Sequence, residues 1–271
     1  MTAFQAIVLG VVQGLTEFLP ISSTGHLRVV PAFAGWEDPG AAFTAVTQLG
    51  TLAAVLLYFR RDLWTIGRAW LRGLRDSEVR RTHDSMMGWF ILVGTIPIVI
   101  FGFVFSDQIE TGARSLTLIG FTLIGLGLVL LAADRVGSRT RRLDSLRWRD
   151  GIAIGLAQAA ALVPGVSRSG ATISAGLFLG FDRAAAARYS FLLSVPAVVL
   201  SGLYEMRNIG GEGGAPVGAT VLATVLAFVA GYVSIAVLLR FLATHSLLVF
   251  VVYRVVLGVV VLALVATGTI S

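Results

Sequence analysis

Four runs in this chain, Ala41–Phe59, Met86–Phe105, Leu116–Ala133 and Val249–Thr267, hold 18 to 20 residues each, and Arg254 is the single charged residue in all of them. About 20 apolar residues in a helix cross a bilayer, and a run of that kind has no stable place in water. Two further runs, Ser190–Tyr204 and Val217–Leu239, bring the expected spans to six. Composition agrees: 56% of the residues are hydrophobic and 13% charged, where a soluble domain averages about 25% charged. The reading is an all-α integral membrane protein. A net charge of +6 would suit a nucleic-acid partner, but most of the arginines lie in two loops between spans. The expected surroundings are therefore the membrane bilayer, with no nucleic acid.

The charges also orient the chain. Arg60–Ser85 carries seven arginines and Asp134–Asp150 six. Ser106–Ser115 has only Arg114, beside Asp107 and Glu110, and Glu205–Ala215 has only Arg207. Basic loops stay in the cytoplasm, which puts the two rich loops inside and the two poor ones outside. No basic residue precedes Arg28, so no cleaved signal peptide is expected. The chain has no cysteine and all 21 basic residues are arginine. Disulfides, thiolate chemistry, Schiff bases and lysine-dependent phosphate loops are thereby excluded.

Two stretches do not read as ordinary spans. Ala3–Leu19 runs into Pro-Ile-Ser-Ser-Thr-Gly-His and a short apolar piece, Leu27–Trp36. Gly151–Val163 runs into Pro-Gly-Val-Ser-Arg-Ser-Gly and then Ala171–Phe181. Each reads as a re-entrant helical hairpin, whose non-helical tip is tolerated at membrane depth only where protein or a wet cavity covers it. The stretches match at a constant separation of 145 residues: Gly10 with Gly155, Gln13 with Gln158, Ser22 with Ser167, Thr24 with Ser169, Gly25 with Gly170. With three spans after each hairpin, the expected architecture is an inverted-topology repeat in one membrane domain, 1–271. Residues 1–133 form the first repeat, 134–150 a cytoplasmic linker and 151–271 the second repeat. Such folds place their site near the midplane, where the repeats meet.

The tips carry the chemistry. The first offers Glu17, Ser22, Ser23, Thr24 and His26; the second offers Ser167, Arg168, Ser169 and Thr172. Ionisable groups at membrane depth point to function. Arg168 supplies a planar fork of donors that suits phosphate oxygens, and helices restarting after Gly25 and Gly170 aim amides at an anion. Glu17, four residues after Gln13, shares a helix face with it, and together they can offer oxygen ligands to a hard divalent cation. His26, three residues past Ser23, could meet it on a restarting helix and serve as its base.

The segments QGLTEFLPISSTGHL and PGVSRSGAT resemble the two signature motifs of the undecaprenyl-diphosphate phosphatases, also called bacitracin-resistance proteins, and the resemblance extends over essentially the whole chain. It implies hydrolysis of a polyprenyl diphosphate lipid to the monophosphate plus inorganic phosphate, which recycles the lipid carrier for cell-wall synthesis and gives bacitracin resistance. It implies a divalent cation, magnesium or calcium, and a multi-pass protein of the bacterial plasma (inner) membrane with its active site open to the periplasmic face. By position, Glu17 is the motif carboxylate, Ser23 the nucleophile and His26 its partner. Arg168 holds the diphosphate, with Ser167, Ser169, Thr172, Ser22 and Thr24 around it. Gln13 stands where many members carry glutamate; an amide can ligate a cation but cannot act as a base. The nucleophile stays open between Ser23, His26 and water, and a homodimer is left open. A flippase that moves polyprenyl phosphate through the same repeat is the alternative; it needs no base beside a nucleophile.

Other polar residues read as structural. Gln48 is expected to pack between helices and Arg254 to snorkel towards the cytoplasm. Pro97 and Pro196 are expected to bend their spans, and Trp64, Trp70 and Trp148 to sit at the interface. His83 and His245 fall in cytoplasmic loops.

Overall fold

The computed structural model describes residues 1–105, 115–205 and 216–270. The arginine-poor segments holding Asp107, Glu110, Arg114 and Arg207, on which the expected orientation partly rests, lie outside the described residues. Among the described residues there are twelve α-helices and no β-strand. They are α1 (Ala3–Phe18), α2 (Ser23–Ala34), α3 (Gly40–Tyr58), α4 (Arg60–Gly73), α5 (Ser77–Arg80), α6 (His83–Val104), α7 (Leu116–Val136), α8 (Trp148–Ala159), α9 (Arg168–Phe178), α10 (Arg183–Glu205), α11 (Val217–Leu242) and α12 (Leu248–Ala266).

Six of these, α3, α6, α7, α10, α11 and α12, are long and apolar enough to cross a membrane. They coincide with the six spans read from the sequence. Their outer faces are apolar. On α11 the exposed residues Val221, Val225, Val229, Val233 and Val237 recur every fourth position, forming a stripe along one side of the helix. Water would reject such a face, whereas hydrocarbon accepts it. The protein is a multi-pass membrane protein.

Small residues let the helices approach closely, as they do where lipid supplies no hydrophobic drive for association. Helix α1 lies on α11, and α8 lies on α6. A Cβ at Gly10 would run into the Ala223 carbonyl, and one at Gly155 into the Gly94 carbonyl. Both glycines therefore mark a backbone-to-backbone crossing.

Bidentate ion pairs tie the arginine-rich end together. Arg183 holds Asp134 at 2.6 and 3.1 Å. Arg141 holds Asp150 at 3.1 and 2.6 Å while lying over the Phe181 ring. Trp64 and Trp148 are exposed, Trp148 packing edge-on against Phe90 and Trp70 against Trp89.

Candidate active site

Each polar tip ends in a serine with an unusual backbone. Ser22 caps α2 at φ 76° and Ser167 caps α9 at φ 72°. Left-handed conformations cost a non-glycine residue free energy and gather at functional sites. In both, the hydroxyl accepts the amide of the glycine three residues on: Gly25 at 3.3 Å and Gly170 at 3.1 Å. The side chain thus satisfies one of the amides that a helix start leaves free. The amide-bearing starts of α2 and α9 fall within the same cluster of tips.

The two tips are locked to each other. Ser169 Oγ donates to the Leu19 carbonyl at 3.0 Å and the Glu17 carbonyl at 3.3 Å. Arg254, from α12, is fully buried. Its guanidinium donates to the carbonyls of Pro20 in the first tip, Gly165 and Val166 in the second, and Thr122 and Leu123 on α7. The expected snorkelling of Arg254 is therefore corrected. Five carbonyl acceptors converge on its position, so the charge stays where it satisfies them rather than reaching for the surface. Thr122 reinforces the arrangement by donating to the Pro164 carbonyl at 2.8 Å.

Within this frame Glu17 is the hub. Its Oε2 accepts from Gln13 Nε2 at 2.9 Å and from Ser23 Oγ at 2.6 Å. Its Oε1 lies 4.0 Å from Arg168 NH1, a charge contact between the two tips. Arg168 NH2 donates to Gln48 Oε1 at 3.2 Å, while Nε and NH1 are buried without a hydrogen-bond partner. Gln13 is fully buried, and its Oε1 also lacks a partner. Buried donors and acceptors left open in this way are rare in folded proteins and need an explanation.

The expected Ser23–His26 pair is not formed. Ser23 gives its hydroxyl to Glu17, and both imidazole nitrogens are engaged elsewhere. His26 Nδ1 lies 2.7 Å from the Ser22 carbonyl and Nε2 lies 2.7 Å from Tyr253 Oη. A carbonyl can only accept, so Nδ1 carries the proton, and in a neutral ring Nε2 accepts from the tyrosine. The turn between α1 and α2 brings Glu17 to Ser23 from six residues away, and that contact displaces the helical one.

The remaining site residues divide by what they touch. Ser22 and Thr24 hydroxyls pair at 3.3 Å, and Ser167 and Ser169 pair at 3.1 Å. Thr172 turns into the protein, donating to the Arg168 carbonyl at 2.7 Å and pairing with Ser190 at 2.6 Å. Its hydroxyl thus holds α9 to α10. Arg168, Gln48 and Thr24 are among the residues lining a cavity of about 420 Å³ bounded also by residues of α3, α6 and α10. Sequence reasoning gave Gln48 a packing role and overlooked Tyr253. The lone charge in the last apolar run was the available signal for Arg254.

The assembled groups are a carboxylate bonded to a serine hydroxyl, an arginine with open donors and two helix starts. They can bind an anion with several oxygens and take a proton from a hydroxyl. Residues 6–260 match the family model described as bacitracin resistance protein BacA. A relative from Nocardioides sp., named undecaprenyl-diphosphatase, is 56% identical over 98% of both chains. One of that name from Thermobifida fusca is 52% identical over 100% of this chain and 93% of its own. Another, from Pelodictyon phaeoclathratiforme, is 51% identical over 100% of both. The chain belongs to the bacitracin resistance protein family.

Proposed function

We propose that this protein is a membrane phosphatase that converts undecaprenyl diphosphate to the monophosphate and inorganic phosphate. The observation that carries the reading is Arg168, whose guanidinium lies 4.0 Å from Glu17 and whose buried Nε and NH1 have no hydrogen-bond partner. A diphosphate supplies the charge and the oxygens those donors need. The same reaction returns the lipid carrier to cell-wall synthesis and underlies resistance to bacitracin.

The mechanism follows from the contacts. Arg168 and the amides at the starts of α2 and α9 hold the diphosphate and stabilise charge on the transferring phosphoryl group. Phosphoryl transfer asks chiefly for such positioning. The Ser23 proton passes to Glu17 Oε2, its hydrogen-bond acceptor. Ser23 Oγ then bonds to the terminal phosphorus as the bond to the bridging oxygen breaks, and the lipid monophosphate departs. Water cleaves the phosphoserine, returning the proton to Oγ and releasing inorganic phosphate. His26 acts on the tip: its bond to the Ser22 carbonyl steadies the left-handed turn that aims Ser23.

Glu17 Oε1 and the open Gln13 Oε1 fit a hard divalent cation, magnesium or calcium. Among the described residues no three His, Asp or Glu side chains gather as a metal cluster, so the other ligands would come from diphosphate oxygens and water. Such an ion would offset the charge of the bound diphosphate.

Several observations support an inverted repeat with two re-entrant hairpins. The first helix of one half, α1, packs on the fourth of the other, α11; reciprocally α8 packs on α6. The left-handed caps Ser22 and Ser167 and the crossing glycines Gly10 and Gly155 correspond in the same way. The arginine-rich segments, including α4, would face the cytoplasm of the bacterial inner membrane and the site would open on the periplasmic side.

The deciding experiment is phosphate release from undecaprenyl diphosphate by the purified protein in detergent, where no second compartment exists. Turnover by the wild type and silence of Arg168→Ala are expected. Binding without release would favour a lipid carrier.

A further inference from the structure

We infer that Tyr253 is a positioning residue of the phosphatase site, acting on Ser23 through His26 and the turn at Ser22; this rests on the phosphatase reading above. Tyr253 Oη lies 2.7 Å from His26 Nε2, with the two rings 7° from parallel. On its other side the imidazole meets the Ser22 carbonyl through Nδ1, also at 2.7 Å. Ser22 holds a left-handed φ of 76° and directly precedes Ser23. Tyr253, His26 and the Ser22 carbonyl thus form one line of hydrogen bonds. It ends on the peptide group that joins Ser22 to Ser23.

The line works in one protonation pattern. A carbonyl only accepts, so Nδ1 carries the proton; a neutral ring then presents a bare Nε2, which needs a donor. Tyr253 is the donor the structure supplies. Without the phenol hydroxyl the proton is free to move to Nε2, which turns the Nδ1 lone pair against the Ser22 oxygen. That oxygen keeps only the His26 amide, at 3.1 Å. A repulsive contact then replaces an attractive one on the turn that sets Ser23.

Helix α12 is a fixed point from which to hold the tip. A Cβ at Gly258 would come within 2.8 Å of the Gly120 carbonyl, so α12 lies close on α7. The residue after Tyr253, Arg254, donates to the Pro20 carbonyl at 3.0 Å. Consecutive residues of one helix therefore hold the tip at Pro20 directly and at Ser22 through the imidazole. Tyr253 is about half exposed, as are Val249, Val252 and Val256 around it on α12. Those valines have no side-chain hydrogen bond to offer, so the hydroxyl is what sets the position apart.

Tyr253→Phe deletes the donor and keeps the ring. With undecaprenyl diphosphate its kcat should fall by about 10- to 10²-fold, as a displaced reacting group produces. KM should stay near the wild-type value, because Arg168 on the second tip is untouched. Tyr232→Phe, on α11 with its ring against Tyr58, should leave kcat unchanged. In a His26→Gln background Tyr253→Phe should have no further effect, the non-additivity of groups that act in series. A general loosening of α12 would instead add its own loss. A spectroscopic readout needs no turnover. The chain has three histidines, so His83→Gln with His245→Gln leaves His26 alone for nitrogen NMR of the imidazole. That protein should show the proton on Nδ1 and a bare Nε2, and adding Tyr253→Phe should move the proton towards Nε2. A protonated Nε2 before the tyrosine is changed, an unchanged spectrum after it, or a wild-type kcat in Tyr253→Phe would each overturn the role of Tyr253. No phosphate release by the wild type would instead overturn the phosphatase reading, and the spectra would still judge the contact.

Discussion

Ser23 Oγ donates to Glu17 Oε2 across 2.6 Å, although the two residues sit on different helices, α1 and α2, on either side of the 19–22 connection. The contact gives the hydroxyl a proton acceptor within its own tip. It also gives the motif glutamate a role separate from its charge contact with Arg168.

The first prediction concerns that proton. Glu17→Gln should lower kcat by about 10²- to 10⁴-fold, the usual worth of a positioned base, with the protein still folded by circular dichroism. Ser23→Ala should be at least as damaging. Ser23→Ala turnover near the wild-type rate would remove the serine from the chemistry and leave direct attack by water.

A second separates the two candidate bases. With Glu17 as the acceptor of the Ser23 proton and His26 bonded to the Ser22 carbonyl and Tyr253, His26→Gln should retain more turnover than Glu17→Gln. A loss in His26→Gln as deep as that in Glu17→Gln would return the base to the imidazole.

The third concerns the fork on Arg168. Arg168→Lys keeps the charge but replaces the planar donor set by a point charge. Its kcat/KM should fall on the order of 10²-fold, as for loss of one stabilising donor. Gln48→Ala frees Arg168 NH2 and should raise KM more than it lowers kcat. Steady-state phosphate release measures both.

The fourth concerns Gln13. Gln13→Glu should retain activity and lower the concentration of divalent cation needed for half-maximal rate, because a second carboxylate strengthens a hard-cation site. Chelator should silence both forms and added magnesium or calcium should restore them. A Gln13→Glu variant with an unchanged cation requirement would place the ion elsewhere.

The fifth concerns Arg254. Arg254→Met strands the tip carbonyls that the guanidinium satisfies. Each buried orphan acceptor costs about 1–3 kcal/mol, so the variant should lose at least about 3 kcal/mol and unfold at a visibly lower temperature in detergent. Arg254→Lys should fall between the two. Unchanged thermal unfolding in Arg254→Met would mean that the tips hold themselves.

The sequence was most legible where one physical rule dominates. Apolar runs, free of charge but for Arg254, located all six long helices, and the polar residues at the two tips drew attention to Glu17, Ser23 and Arg168. It was least legible where partners meet through folding. Ser23 and His26 are neighbours by helical spacing, yet the turn before Ser22 delivers Glu17 to the serine, and Tyr253 from α12 takes the imidazole. Arg254 read as a snorkelling side chain because its acceptors are backbone carbonyls, which no side-chain pattern reveals. Gln48 looked like packing because the residue it steadies lies 120 positions away.

Arg254 belongs to α12, yet it gathers the carbonyls of a tip that begins at Pro20. The two partners are 234 positions apart, so the outline of the first tip is coupled to the seating of α12 and belongs to the folded whole rather than to its own stretch of sequence.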